Sequence, residues 1–236
     1  MAGLALIAGV LLAQPVTDFE PLYRQALEQR ERTLGRQHPK TQESARDLGL
    51  YLASRGEYAR AAAHLEPVLA AADGVTAATV LHNWAVALEE TSPPTAARLY
   101  RKALAIRQRL LPAGDVELAT TRLNLAGLVL PDNSQEAAKL AAASLRAFEN
   151  KLGPADARTG VACGTLGAAL AMQGDVAGAE RMFRRALAIA EKAHGPRAPE
   201  TANALENLAD LLAQTGRASA AAPLRKRAQA IRAGAL

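Results

Sequence analysis

The chain has 236 residues, of which half are apolar but only 3% aromatic, and its formal net charge is +5. Ala and Leu carry the apolar content, with few β-branched runs, so the composition predicts an all-α fold of closely spaced helices and speaks against a sheet protein. The single cysteine, Cys163, excludes an intrachain disulfide framework and a cysteine-based zinc cage. It lies among the small residues of "TGVACGTLG" and reads as a packed structural thiol rather than a nucleophile.

In chain order, the first segment is "MAGLALIAGVLLAQPV". Its uncharged run is too short to span a membrane as a helix and has the length of a signal-peptide apolar region, with Ala13 as a cleavage position. Residues 1–14 are therefore expected to direct export, periplasmic or secreted. The competing reading is a remnant repeat helix, because "LALIAGVLLAQ" is similar to "LENLADLLAQ" near the other end of the chain. On that reading the protein would be cytoplasmic.

From residue 18 onward the chain repeats itself. The stretches "LGRQHPKT" (34–41), "LGPADART" (152–159) and "HGPRAPET" (194–201) align, and "LLPAGDVE" (110–117) is a further copy with a shifted proline. Each seam follows one helical pattern, such as "MFRRALAIAEKAHG", and precedes another, such as "NALENLADLLAQTGRASA". The anchor leucines of the pattern before the seam are Leu27, Leu69, Leu104, Leu145 and Leu187. The predicted array is an unpaired helix at 18–35 and helix pairs at 41–72, 76–111, 116–153, 157–194 and 200–233. Gly56, Gly174 and Gly216 are placed to end the first helix of a pair in a left-handed conformation, and proline ends the second. Thr41, Thr159 and Thr201 stand near helix starts, where a hydroxyl is expected to cap free amides. Pro67 is expected to kink or shorten its helix. Leu205, Leu208, Leu211 and Leu212 fall on one face at helical spacing and are expected to pack inward. Trp84 replaces a core leucine, and its truncation to Ala is expected to cost about 3–5 kcal/mol.

"LENLADLLAQTGR", "LGLYLASRGEYARA" and "RRALAIAEKAHGP" together resemble tetratricopeptide repeats, in the 42-residue form found in kinesin light chains. The resemblance covers residues 18 to 233. It implies a right-handed superhelical α-solenoid of antiparallel helix pairs whose first helices line a concave groove. "TSPPTA" and "LPDNSQEA" depart from the pattern by lacking the turn glycine.

Catalytic signatures are missing: the sequence has no H-E-x-x-H, G-x-S-x-G, P-loop or G-x-G-x-x-G. His38, His64, His82 and His194 are scattered, with His38 and His194 in matching seams. No enzyme activity, cofactor, metal or small-molecule substrate is expected. Residues 181–236 hold ten Lys/Arg against four Asp/Glu. The array needs a polar end, so this basic tail reads as a cap rather than a nucleic-acid surface, for which aromatic interleaving is lacking.

What remains is the groove. The position before the core anchor of each first helix reads Asp47, Asn83, Asn124, Thr165 and Asn207. The resemblance implies that an asparagine here faces the groove and bonds a ligand main chain, since an amide both donates and accepts. Arg46, His82, Asn203, Glu206 and Asp210 flank it as further candidates. The expected function is a protein- or peptide-binding scaffold. Self-association as a structural scaffold, with oligomerisation, and anion, nucleic-acid or membrane-surface binding through the basic last repeat are the alternatives.

Overall fold

The computed structural model describes residues 18–234, so the N-terminal segment read as a signal or repeat helix lies outside the described residues. Within them the chain forms eleven helices and no strand: α1 (Glu20–Leu34), α2 (Pro39–Ser54), α3 (Tyr58–Ala71), α4 (Gly74–Leu88), α5 (Pro93–Leu110), α6 (Val116–Val129), α7 (Ser134–Leu152), α8 (Ala157–Met172), α9 (Val176–Ala193), α10 (Pro199–Gln214) and α11 (Ala218–Arg232). No helix among them is long and apolar enough to cross a membrane.

The starts of the helices have identifiable causes. Asp73, Asp115, Asn133, Asp156 and Asp175 each accept a hydrogen bond from an amide of the first turn, at 2.7–3.1 Å. His38 does the same for α2 through Nδ1, at 3.2 Å from the Lys40 amide. The threonines expected to cap do something else. Thr41, Thr159 and Thr201 are each the third residue of a helix and are fully buried, and their hydroxyls donate to the carbonyls of Arg30, Gly153 and Gly195. They stand one turn too late to accept from a first-turn amide, so they tie the seam back to the preceding helix instead. Gly56, Gly174 and Gly216 adopt φ of 80°, 82° and 78°, the left-handed region that ends a helix without a Cβ clash. Pro67 stays inside α3, which at 14 residues is one of the two shortest helices.

Connections this short make sequential helices antiparallel neighbours, and the contacts follow that order. Even-numbered helices form one layer, in which α2 meets α4 and α8 meets both α6 and α10; odd-numbered helices form the other. The core is the seam between the layers. Leu48, Leu52, Leu65, Leu88 and Tyr100 are fully enclosed toward the N-terminal end, Phe148 and Cys163 further on, and Leu205, Leu208 and Leu212 at the far end. Trp84 packs against the first of these clusters only partly buried, and its indole N–H has no acceptor among the described residues.

Helices of the odd layer are also joined by charge. Glu20 of α1 pairs with Arg60 of α3, Arg101 of α5 with Glu136 of α7, Glu149 of α7 with Arg185 of α9, and Glu180 and Glu191 of α9 with Arg217 and Arg227 at α11. Among the described residues no such pair joins α3 to α5. Arg225 and Arg232 of α11 reach Asp210 and Glu206 of α10. Much of the basic tail is thus neutralised within the last two repeats.

Candidate functional site

The even layer presents rows of side chains that cross the array. One row reads Asp47, Asn83, Asn124, Thr165 and Asn207, and four residues earlier on the same helix faces stand Glu43, Thr79, Thr120, Val161 and Asn203. What lies beneath these rows is decided by the odd layer, three residues after each anchor leucine: Arg30, Ala72, Arg107, Phe148 and Ala190. Arg107 and Phe148 are buried and fill the space under their seams. Ala72 and Ala190 do not, and a recess opens beside each.

The recess over Ala190 holds about 250 Å³ and lies between α8 and α10. Ala186, Ala190, Gly160 and Ala204 form its floor. Gly160 is required by packing, since a Cβ there would sit 2.8 Å from Ile189 Cγ2, whereas a Cβ on Gly164 would meet nothing within 4 Å. Thr165, Asn203 and Asn207 supply the polar groups, Val161 lies 58% exposed at the edge, and His194 and Glu200 stand on the rim. The Asn203 carbonyl oxygen accepts from Arg232 at 2.8 Å, which orients that amide and leaves its NH₂ free to donate. Asn207 is exposed and makes no side-chain hydrogen bond among the described residues.

The other sequence candidates are placed differently. Asn83 is exposed on α4. Asn124 is half-buried, and its amide donates to the Tyr100 hydroxyl at 3.0 Å, which in turn donates to Glu89 at 2.5 Å. Asp47 is held by Arg46 at 2.9 Å, and Arg46 lines the second recess together with Gln42, Glu43 and Thr76. Glu206 and Asp210 turn toward α11, where Arg232 holds the Glu206 carboxyl below the usual carboxylate range.

His82 is not a groove residue. It is 9% exposed, with Nδ1 3.2 Å from Thr121 Oγ1 and its ring edge-on to Tyr100 at 5.1 Å. Burial, with Arg107 adding to it, pushes its pKa down to about 4, so the ring is neutral near pH 7. Arg107 joins the same network, donating to the Glu117 carbonyl at 2.8 Å and to Thr121 at 2.5 Å. Sequence reasoning put His82 on the surface because it neighbours Asn83, but a one-residue step turns about 100° around a helix and carries the ring into the core. Cys163 is fully buried, and burial pushes its thiol up to about 11.

Val161, Gly164, Ala190 and the rim residue Glu200 were not singled out by the sequence, and His194 was read there only as a seam residue. The available signal was a comparison of Arg107, Phe148 and Ala190 at one matched position, where a small residue means unfilled space.

Residues 160–233 and residues 41–72 each match the tetratricopeptide-repeat family. No curated protein matches the chain. Among solved structures it is similar to BtubC (BKLC) from P. vanneervenii, with 22% identity and a TM-score of 0.79 over 91% of this chain and 90% of that one. It is also similar to a putative kinesin light chain of Podosopora anserina with nearly identical TPR-like repeats (20% identity, TM-score 0.67, 84% and 97% covered). A third is MamA 41-end from Desulfovibrio magneticus RS-1 (17% identity, TM-score 0.59, 82% and 96% covered). At these identities the likeness is one of fold. Residues 41–72 and 160–233 are thus tetratricopeptide repeats, and the antiparallel helix pairs between them continue the same stack.

Proposed function

We propose that this protein is a non-catalytic interaction module that holds an extended segment of a partner protein across its even-numbered helices. The observation that carries the reading is the recess between α8 and α10, where Thr165, Asn203 and Asn207 surround an unfilled space beside exposed Val161. A main chain laid there can exchange hydrogen bonds with the Asn207 amide and accept from the Asn203 NH₂, as a peptide backbone requires. An aliphatic side chain of that segment would occupy the space over Gly164 and Ala190, burying apolar surface without demanding a charged partner. The row bears no unpaired cation, which favours an uncharged segment over one recognised through a terminal carboxylate.

Affinity capture from the native cell, with the wild-type chain and two variants, tests this. Gly164→Leu should fill the recess, and joint change of Asn83, Asn203 and Asn207 to Ala should remove the main-chain partners. Both are expected to lose a partner that the wild type retains. Retention of every partner by both variants, each shown to be folded by circular dichroism, would exclude this groove as the binding surface.

A further inference from the structure

Arg122 stands where the other repeats place packing residues. The matched positions hold Ala45, Leu81, Cys163 and Leu205, of which the last three are buried. Arg122 is half-buried on α6, two residues from Asn124 and therefore on the opposite side of the helix from the groove row. Among the described residues its guanidinium has one acceptor, the Ala113 carbonyl at 3.1 Å, although it offers five N–H donors. Across a recess of about 340 Å³ it faces Arg146 of α7, with Gly114, Ala143 and Ala147 forming the walls and Asn150 at the edge. At the position of Arg146 the neighbouring odd helices carry Ala105 and Ala188.

Most arginines of this array have a carboxylate partner, yet among the described residues neither Arg122 nor Arg146 has one. The nearby acids are engaged elsewhere. Asp115 caps α6 through the amides of Glu117 and Leu118, and Glu149 pairs with Arg185. A Cβ on Gly114 would lie 3.9 Å from Lys151 Cε, so a third cationic side chain passes over the loop at the rim. Burial, followed by the repulsion of Arg146, holds the pKa of Arg122 below its ordinary value. Two like charges brought together on a partly desolvated wall cost stability unless an anion joins them.

We propose that this recess between α6 and α7 is an oxyanion site that takes a phosphoryl group, held by the guanidinium forks of Arg122 and Arg146. The Asn150 amide is a further donor, and Lys151 adds charge from the rim. A tetrahedral dianion matches planar two-donor forks and balances paired guanidinium charges better than a single carboxylate does. The site lies away from the peptide groove and does not depend on it.

The test uses the full chain, inorganic phosphate and O-phosphoserine as probes, and sodium chloride of equal ionic strength as the control. Thermal unfolding and isothermal titration give the response. Phosphate is expected to raise the midpoint where matched chloride does not. The exposed variant Arg146→Gln is expected to weaken binding roughly tenfold or more, as loss of a charge-assisted fork should. Arg122→Leu introduces the residue found at the matched positions 81 and 205, so it is expected to fold, to melt higher than the wild type in chloride, and to lose the phosphate response. Tighter binding of O-phosphoserine than of phosphate would assign the group to an esterified ligand, and the reverse order to the free ion. An equal response to phosphate and chloride, or a phosphate response that survives in both variants, overturns the proposal.

Discussion

One substitution type, glycine to alanine inside a helix of the even layer, should act with opposite sign at two positions. At Gly127 on α6 an added Cβ meets nothing within 4 Å, and the residue is exposed. Alanine there removes backbone freedom from the unfolded chain and should stabilise by about 0.5–1 kcal/mol. At Gly49 on α2 the same methyl would lie 2.6 Å from Leu65 Cγ, 2.9 Å from Leu65 Cδ2 and 3.3 Å from the Ala61 carbonyl oxygen. Leu65 is fully buried and has no room to withdraw. Overpacking of this kind costs about 1–3 kcal/mol, which exceeds the helix-propensity gain and leaves Gly49→Ala less stable by about 1–2 kcal/mol. The two variants should therefore lie on either side of the wild type in urea, about 2–3 kcal/mol apart, with unchanged slopes. A Gly49→Ala chain as stable as wild type would mean that α2 and α3 are not packed at this distance. A destabilised Gly127→Ala would mean that α6 is covered on its outer face.

Two further outcomes follow from buried groups. His82 has a pKa of about 4 in the fold against 6.5 when free, so between these values the unfolded chain binds more protons and stability falls as pH is lowered from about 6.5 toward 4. The loss should approach roughly 2–3 kcal/mol, and His82→Gln should flatten this part of the pH–stability curve; a curve identical to wild type would place the ring in solvent. Cys163, fully buried with its thiol raised to about 11, should stay unmodified by a disulfide reagent at pH 8 and react stoichiometrically once urea unfolds the chain. Rapid modification of the native protein would show that α8 opens or is misplaced.

The period and the helix pairs were legible because apolar spacing, glycine stops and proline restarts all recur, and because each unit repeats the same physical problem of burying one face. The row Asp47, Asn83, Asn124, Thr165 and Asn207 could likewise be drawn from the register alone. Chemical availability along that row could not, because it depends on neighbours distant in sequence. Asn124 is engaged by Tyr100, Asp210 by Arg225, and Asn207 by no side chain. The threonines of the seams differ from expectation for a related reason: a hydroxyl near a helix start can accept from an amide or donate to a carbonyl, and the three residues that separate each threonine from its cap position decide which. The recess escaped notice because it is made by what Ala190 lacks, and an alanine in an alanine-rich helix attracts no attention until it is set beside Arg107 and Phe148.

The ion pairs that link odd helices give the superhelix an uneven stiffness. Exposed pairs of this kind are worth at most about 1 kcal/mol each to folding, so their effect lies in fixing how one repeat is rotated against the next. The joints at α1/α3, α5/α7 and α9/α11 are clamped in this way, as is α7/α9, whereas among the described residues no ion pair joins α3 to α5. Under bending or tension the array should yield first at that joint, and the recess beside Ala72 would change shape with it, because its walls come from α2 on one side and α4 on the other. Salt would screen the clamps and make the other joints resemble it, so the pitch of the solenoid, and with it the spacing of its two recesses, becomes a function of ionic strength.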